Sequence, residues 1–397
     1  MAVLICSRNS GADNKYEGIK AACDKKKKFR MKRGNELKEL HSFAWYAARV
    51  RPYLPEKAFQ PVPARLWGGL AYLVVVIAGI LTISFTDFHF WLYTFIAFIL
   101  GSSFAAMGFL GHEILHGTVV RKAWLRELTG GIAFFPLSTG PKLWTKWHNL
   151  THHRHTQDEE KDPDAWPTVD QFSRSILVKY FYRLPISVRG MLEMAFLAIT
   201  FSLHSLRMFK RFIKEFSKEK RPAVWLQLLL PWACWIGLLF LIGPLKWLFA
   251  FLIPLLIANF IVMAYIATNH RLNPLVPVND PLANSLTVTV PKWVDVLHFH
   301  FSYHTEHHLF PGMSSKYYPL VKAELKKRWP ERYHEMPLFK ALAALYKTPR
   351  LYNNREELVD LEARHRYGTL GHGLDPNQLK PLKERSPAKR STRDRKV

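Results

Sequence analysis

Apolar residues along this chain gather in long blocks. The first covers residues 67–85, contains Leu73-Val74-Val75-Val76-Ile77 and carries no charge. A short polar turn at Thr86-Asp87 follows, then a second block at 90–110. Two more, 223–242 and 245–267, are separated by Gly243-Pro244. Each is long enough to cross a hydrocarbon core of about 30 Å. Pro231 and Pro254 are tolerable inside membrane helices. The pattern predicts an all-α integral membrane protein with four spans in two helical hairpins. Residues 130–140 are apolar but too short to span. Residues 190–206 are nearly long enough, but they carry Glu193 and His204, so an interfacial or shallow helix is expected there.

Charge sharpens this picture. Mean hydropathy is −0.07, because the apolar blocks alternate with basic ones: 56 Lys and Arg against 31 Asp and Glu give a net charge of +25. The basic residues crowd the N-terminal tail, residues 207–221 and the C-terminal third, and Lys246 is the exception at the hairpin turns. By the positive-inside rule both hairpins point outward and the rest, a helical cap, is cytoplasmic. Four spans argue against a nucleic-acid binder, for all the basic charge. The cysteines, Cys6, Cys23 and Cys234, form no CxxC pair, which excludes thiolate metal sites. Three regions are expected: a basic tail and surface segment (1–60), a membrane domain (61–330) and a basic extension (331–397). Residues 1–40, with the run Lys25-Lys26-Lys27-Lys28, read as disordered or surface-lying, and Met31 as a plausible start of its own. The first residues have no recognisable secretory cleavage site. The tail after Gly373 reads as disordered.

The candidate chemistry lies in histidine. Eight of the 18 histidines form three groups: His112 and His116 in GHEILHG; His148, His152 and His153 in WHNLTHHRH; His304, His307 and His308 in YHTEHHLFP. Spacings of three or four return side chains to one helix face, so each group can aim imidazoles at one point. A ninth, His270, directly follows the last span, and the proposed topology brings all four regions to one lip of the bilayer. Nine imidazoles exceed the four ligands of a structural zinc and suit a dinuclear site with four or five nitrogens per metal. Imidazole suits iron, copper, nickel and zinc alike, so the ligands leave the metal open. His155, His298 and His300, close to the boxes, read as structural or as supports for ligands, and His204 as a polar residue of the interfacial segment. Glu113 and Glu306, inside the first and third groups, read either as acceptors for ligand N–H groups or as solvated charges. The acidic run Asp158-Glu159-Glu160…Asp162…Asp164 reads as a solvated loop.

HEILH, HNLTHH and HTEHH, in this order and followed by HHLFP, resemble the three histidine boxes of the membrane fatty-acid desaturases. The resemblance covers about residues 60–330 and is strongest to bacterial acyl-lipid or acyl-chain enzymes. It implies two irons, O2 as co-substrate, two electrons per turnover, and a cis double bond placed in a long acyl chain of a membrane lipid or acyl carrier. It carries the catalytic ligand roles to His112, His116, His148, His152, His153, His304, His307 and His308, and a ninth to His270. The first box is HxxxH, unlike the HxxxxH of acyl-CoA delta-9 enzymes. The third begins with His304, where front-end desaturases often have Gln. No His-Pro-Gly-Gly motif marks a fused cytochrome b5 domain, so electrons come from a separate ferredoxin or cytochrome b5. Two alternatives remain on the sequence alone: a hydroxylase of acyl chains, alkanes or carotenoids on the same scaffold, and a non-redox metal transporter.

Overall fold

The computed structural model of the chain describes residues 30–33, 36–172, 176–360 and 365–382. The chain divides at Leu40 into two units. In the first, β1 (Arg30–Arg33) pairs antiparallel with β2 (Glu36–Glu39), so this part of the basic tail, expected to be disordered or surface-lying, forms a two-stranded pairing. The Lys25–Lys28 run lies outside the described residues.

The second unit is mostly helical. After α1 (Phe43–Val50) come α2 (Arg65–Phe85) and α3 (Phe90–Leu115), then α4 (Ala123–Phe134), a helical stretch from Pro141 to His155, α5 (Ile186–Phe212), α6 (Arg221–Trp247), α7 (Ile253–Arg271), α8 (His304–Leu309), α9 (Tyr318–Arg328) and α10 (Leu338–Lys347). Among the described residues, four runs are long and apolar enough to cross a membrane: Arg65–Phe85, Phe90–Leu115, Ile186–Glu215 and Arg221–Arg271. The last is broken at Gly243, whose φ of 80° is open to glycine and strained for other residues. Beyond it, the Trp247 indole N–H donates to Trp235 O at 2.7 Å, although twelve residues of straight helix would separate these positions by roughly 18 Å. The chain therefore doubles back here. Lys246 Nζ reaches Asp87 Oδ1 at 2.9 Å, so the turn at Gly243 and the turn after α2 lie side by side.

Helices α3 and α7 form the centre. A Cβ on Gly101 would come 2.9 Å from Pro254 O, so the missing side chain lets the two backbones approach. Their C-terminal ends carry His112, His116 and His270. Helix α5 lies against α7, where Asn259 Oδ1 accepts from Ser202 N–H at 2.9 Å. It exceeds the apolar run at 190–206, because helical residues continue through the polar segment on both sides.

The all-α expectation fails in the body as well. β3 (Thr287–Thr289) pairs in parallel with β4 (Glu335–Pro337), and β5 (Leu351–Tyr352), β6 (Glu357–Val359) and β7 (Arg366–Gly368) form an antiparallel sheet. Thr287-Val288-Thr289 is β-branched throughout, a composition that favours strand over helix. These pairings stitch the C-terminal segment to the body. Leu374 is buried and the Leu382 N–H donates to Arg366 O, so the tail after Gly373 is ordered at least to Leu382.

Candidate metal centre

The second box sits on a π-helix, Thr145–His152, that widens the turn under Trp147, His148 and His152. The third box is α8, buried along its whole length and packed on α1 and α9 through Leu309, Phe310, Tyr46 and Val321. With the ends of α3 and α7, these elements bring all nine candidate histidines into one cluster of two nests. His112, His116, His148, His153 and His307 each offer a ring nitrogen, all within 4.8 Å of one another. In the second nest, His152, His270 and His308 do the same. His304 joins them with its Nε2 at 2.7 Å from that of His270 and 3.0 Å from that of His308. Both HH doublets split: His152 and His308 face one nest, His153 and His307 the other. Successive helical residues point about 100° apart, so a doublet can serve two sites where a single histidine serves one.

The donor set fits metal ions. Nε2 atoms lie 3.1 Å apart between His112 and His148 and 2.9 Å apart between His153 and His307. Two nitrogens about 2.1 Å from one ion, at right angles, would be about 3 Å apart. Proton accounting points the same way. His270 Nδ1 donates to Asn284 O at 3.0 Å, which leaves its Nε2 a bare lone pair. Thr156 Oγ1 gives its one proton to His152 O, so it accepts from His308 Nδ1 at 3.2 Å and leaves His308 Nε2 bare as well. His304 lies between these lone pairs and can donate to only one of them. His116 Nε2 is buried with no hydrogen-bond partner. Lone pairs left facing one another in this way call for a cation.

Burial holds His116, His148, His153, His304, His307 and His308 well below the usual histidine range, in the neutral form that binds metal. His152 differs. Burial also works against its protonation, but the carboxylates of Asp162 and Asp164 outweigh it and raise the group to about 9. Asp162 Oδ1 accepts from His152 Nδ1 at 2.9 Å and is itself buried. Asp164 Oδ1 accepts from Trp147 Nε1 and His204 Nε2, both at 2.7 Å.

The acidic run is thus a solvated loop only in part: Glu159 and Glu160 are exposed, but Asp162 and Asp164 turn inward beneath the second box. Glu113 and Glu306 fit neither reading offered for them. Both are buried, and neither meets a ligand N–H. Glu113 takes Arg65 Nη2 at 2.7 Å and Ser314 Oγ at 2.6 Å, tying α2 and α3 to the segment after α8. Removing one partner of a buried pair of this kind costs roughly 3–5 kcal/mol. Glu306 takes Thr287 Oγ1 at 2.6 Å and the Tyr333 hydroxyl, and burial raises its carboxyl above the ordinary range. Sequence reasoning also missed the polar groups that orient the rings: Asn284, Thr156 and Tyr318, whose hydroxyl lies 3.0 Å from His307 Nδ1. Their spacings carry no motif.

A cavity of about 310 Å³ opens onto both nests, touching His112 and His148 of the first and His152, His270 and His304 of the second. Its other walls are mostly apolar, among them Phe109, Leu137, Phe201 and Met263.

A model of the family described as Fatty acid desaturase matches residues 89–340, more than half of the 397-residue chain. The chain belongs to the fatty acid desaturase family. It is therefore an oxidoreductase of lipid metabolism, and the transporter alternative falls away. Among curated proteins it is similar to the sn-1 oleoyl-lipid 12-desaturase of Picosynechococcus sp., 25% identical over 332 residues, or 79% of this chain and 91% of that one. The Synechocystis sp. protein of the same name is 24% identical over 70% of this chain and 80% of its own. The chloroplastic omega-6 fatty acid desaturase of Spinacia oleracea is 22% identical over 70% of this chain and 63% of its own. The family match over residues 89–340 spans all four histidine regions, including the one around His270.

Proposed function

We propose that this desaturase places a cis double bond in an acyl chain carried by a membrane lipid, using O2 and two electrons from a separate ferredoxin or cytochrome b5. The observation that carries this reading is the pair of histidine nests opening onto one apolar cavity. His112, His116, His148, His153 and His307 would hold one iron, and His152, His270, His304 and His308 the other. When bound, the irons supply the oxygen activation that no acid or base side chain can give for an unactivated methylene. Overall, two adjacent methylenes each lose one hydrogen, O2 takes these with two electrons and two protons, and two waters leave.

The chain's own residues position and protect. Phe109, Leu137, Phe201 and Met263 offer the acyl chain an apolar bed and exclude water from it. Asn284, Thr156, Tyr318 and Asp162 fix the rings of His270, His308, His307 and His152, so that their nitrogens point inward before metal arrives. Expression in a host with simple lipids, followed by gas chromatography of its acyl chains, tests the reaction. A new cis double bond on lipid-borne chains is expected; an alcohol in its place would transfer the chain to the hydroxylases.

We place the nests on the cytoplasmic side of the bilayer, with the two hairpin turns outside. The basic segment 207–221 lies beside the second box, where Lys146 Nζ meets Glu215 Oε2 at 2.8 Å, and the neighbouring turns at Asp87 and Lys246 lie at the other ends of their helices. On this reading α5 is an interfacial or shallow helix, since a full crossing would separate the boxes. Cysteines introduced at Lys179 and Lys218 should both label from the cytoplasm, and labelling from opposite faces would refute the arrangement.

A further inference from the structure

The cavity changes character toward its mouth. Two of its lining residues, Leu203, 52% exposed, and the exposed Arg207, lie one turn apart on α5, so the opening runs past this helix. The half-buried Arg271 stands in the same wall, its guanidinium 3.8 Å from the centre of the Trp166 ring. This stacking fixes the group in place but satisfies none of its five N–H donors. Among the described residues, neither the Arg271 nor the Arg207 side chain has a hydrogen bond or ion pair to another residue. The carboxylate in this wall, Asp164, is already engaged by Trp147, His204 and His152. A guanidinium sheltered from water with no carboxylate in direct contact is unfavourable, so its presence at a substrate opening implies that the substrate brings the partner anion.

We propose that Arg271 and Arg207 form a phosphate-binding subsite at the cavity mouth, and that the acyl chain enters while still esterified to a phospholipid. The planar fork of arginine matches two phosphate oxygens at once. A coenzyme A or carrier-protein thioester would bring phosphate too, but the surroundings favour a lipid. Phe196, Ile199, Leu203 and Leu206 are exposed on α5 beside the opening, an apolar stripe suited to acyl chains and not to a water-soluble carrier. This inference rests on the acyl reading of the cavity and names the head that accompanies the chain.

The test is native mass spectrometry of the metal-loaded full chain in detergent, offered equal amounts of dioleoyl phosphatidylglycerol, dioleoyl monogalactosyl glycerol and oleoyl-CoA. Phosphatidylglycerol is expected to be retained roughly tenfold over the uncharged galactolipid, and above oleoyl-CoA. Arg207→Gln, on the exposed rim where folding does not depend on it, should reduce this preference, and Arg271→Gln should remove it. Equal retention of the two lipids, or an unchanged preference in Arg207→Gln, would overturn the subsite. Oleoyl-CoA retained above both lipids would overturn its assignment to a phospholipid. The readout is binding, so it separates from turnover: an intact head preference in a chain that forms no double bond would count against the reaction and not against the subsite.

Discussion

Replacing His307 by alanine abolishes double-bond formation and leaves the chain in the membrane. Its Nε2 faces His153 at 2.9 Å within the five-histidine nest, and its Nδ1 is steadied by Tyr318. Alanine removes a nitrogen that no neighbour can replace, because the other four imidazoles come from elements fixed elsewhere. Insertion depends on the apolar helices, none of which contains His307. Product should drop below detection by gas chromatography, with iron per chain reduced, while the membrane fraction holds as much protein as wild type. The same treatment of His112 or His152 should give the same result. Near-normal product from any one of the three would remove that residue from the ligand set.

A different loss is expected for Asp162→Ala, which touches no metal. Asp162 accepts from His152 Nδ1 and also from the backbone N–H groups of Gln157 and Asp164, at 2.7 and 2.9 Å. Its charge makes the His152 ring a stronger donor at Nε2, and its two backbone bonds hold the loop that carries it. Removing a carboxylate behind a metal-bound histidine typically costs 10–100-fold in metal affinity. We expect a loss of about this size at one of the two iron sites, read by chelator competition on the purified chain. Asp162→Asn keeps an oxygen for the Gln157 N–H but not the charge, so it should retain the fold and recover only part of the affinity. Full affinity in both variants would make the aspartate a loop residue alone.

Hydropathy and spacing made much of this legible in advance. The four apolar blocks recur as helical segments, and Gly243 interrupts the helix between the third and fourth of them. The histidine boxes were conspicuous because short-range periodicity survives in a linear reading. What stayed hidden depends on long-range placement. A buried Asp162 and an exposed Glu160 look alike in composition, and only the fold turns one inward. Glu113 and Glu306 neighbour ligands in sequence, yet their helices point them toward Arg65 and Tyr333. Short strands such as Thr287–Thr289 exist because a partner 48 residues away completes them, and no local pattern announces that partner.

The split doublets set a limit on how this centre could change. His152 and His153 are joined by one peptide bond, as are His307 and His308, so the two nests share a rigid frame at two points. The spacing between the ions they would hold is then written into helical geometry and not into adjustable loops. Any shift that improved one pocket would drag the adjacent imidazole out of the other. Diversification in such a scaffold is steered toward the cavity walls and the rim, where residues vary independently, while the two histidine nests behave as a single inherited unit.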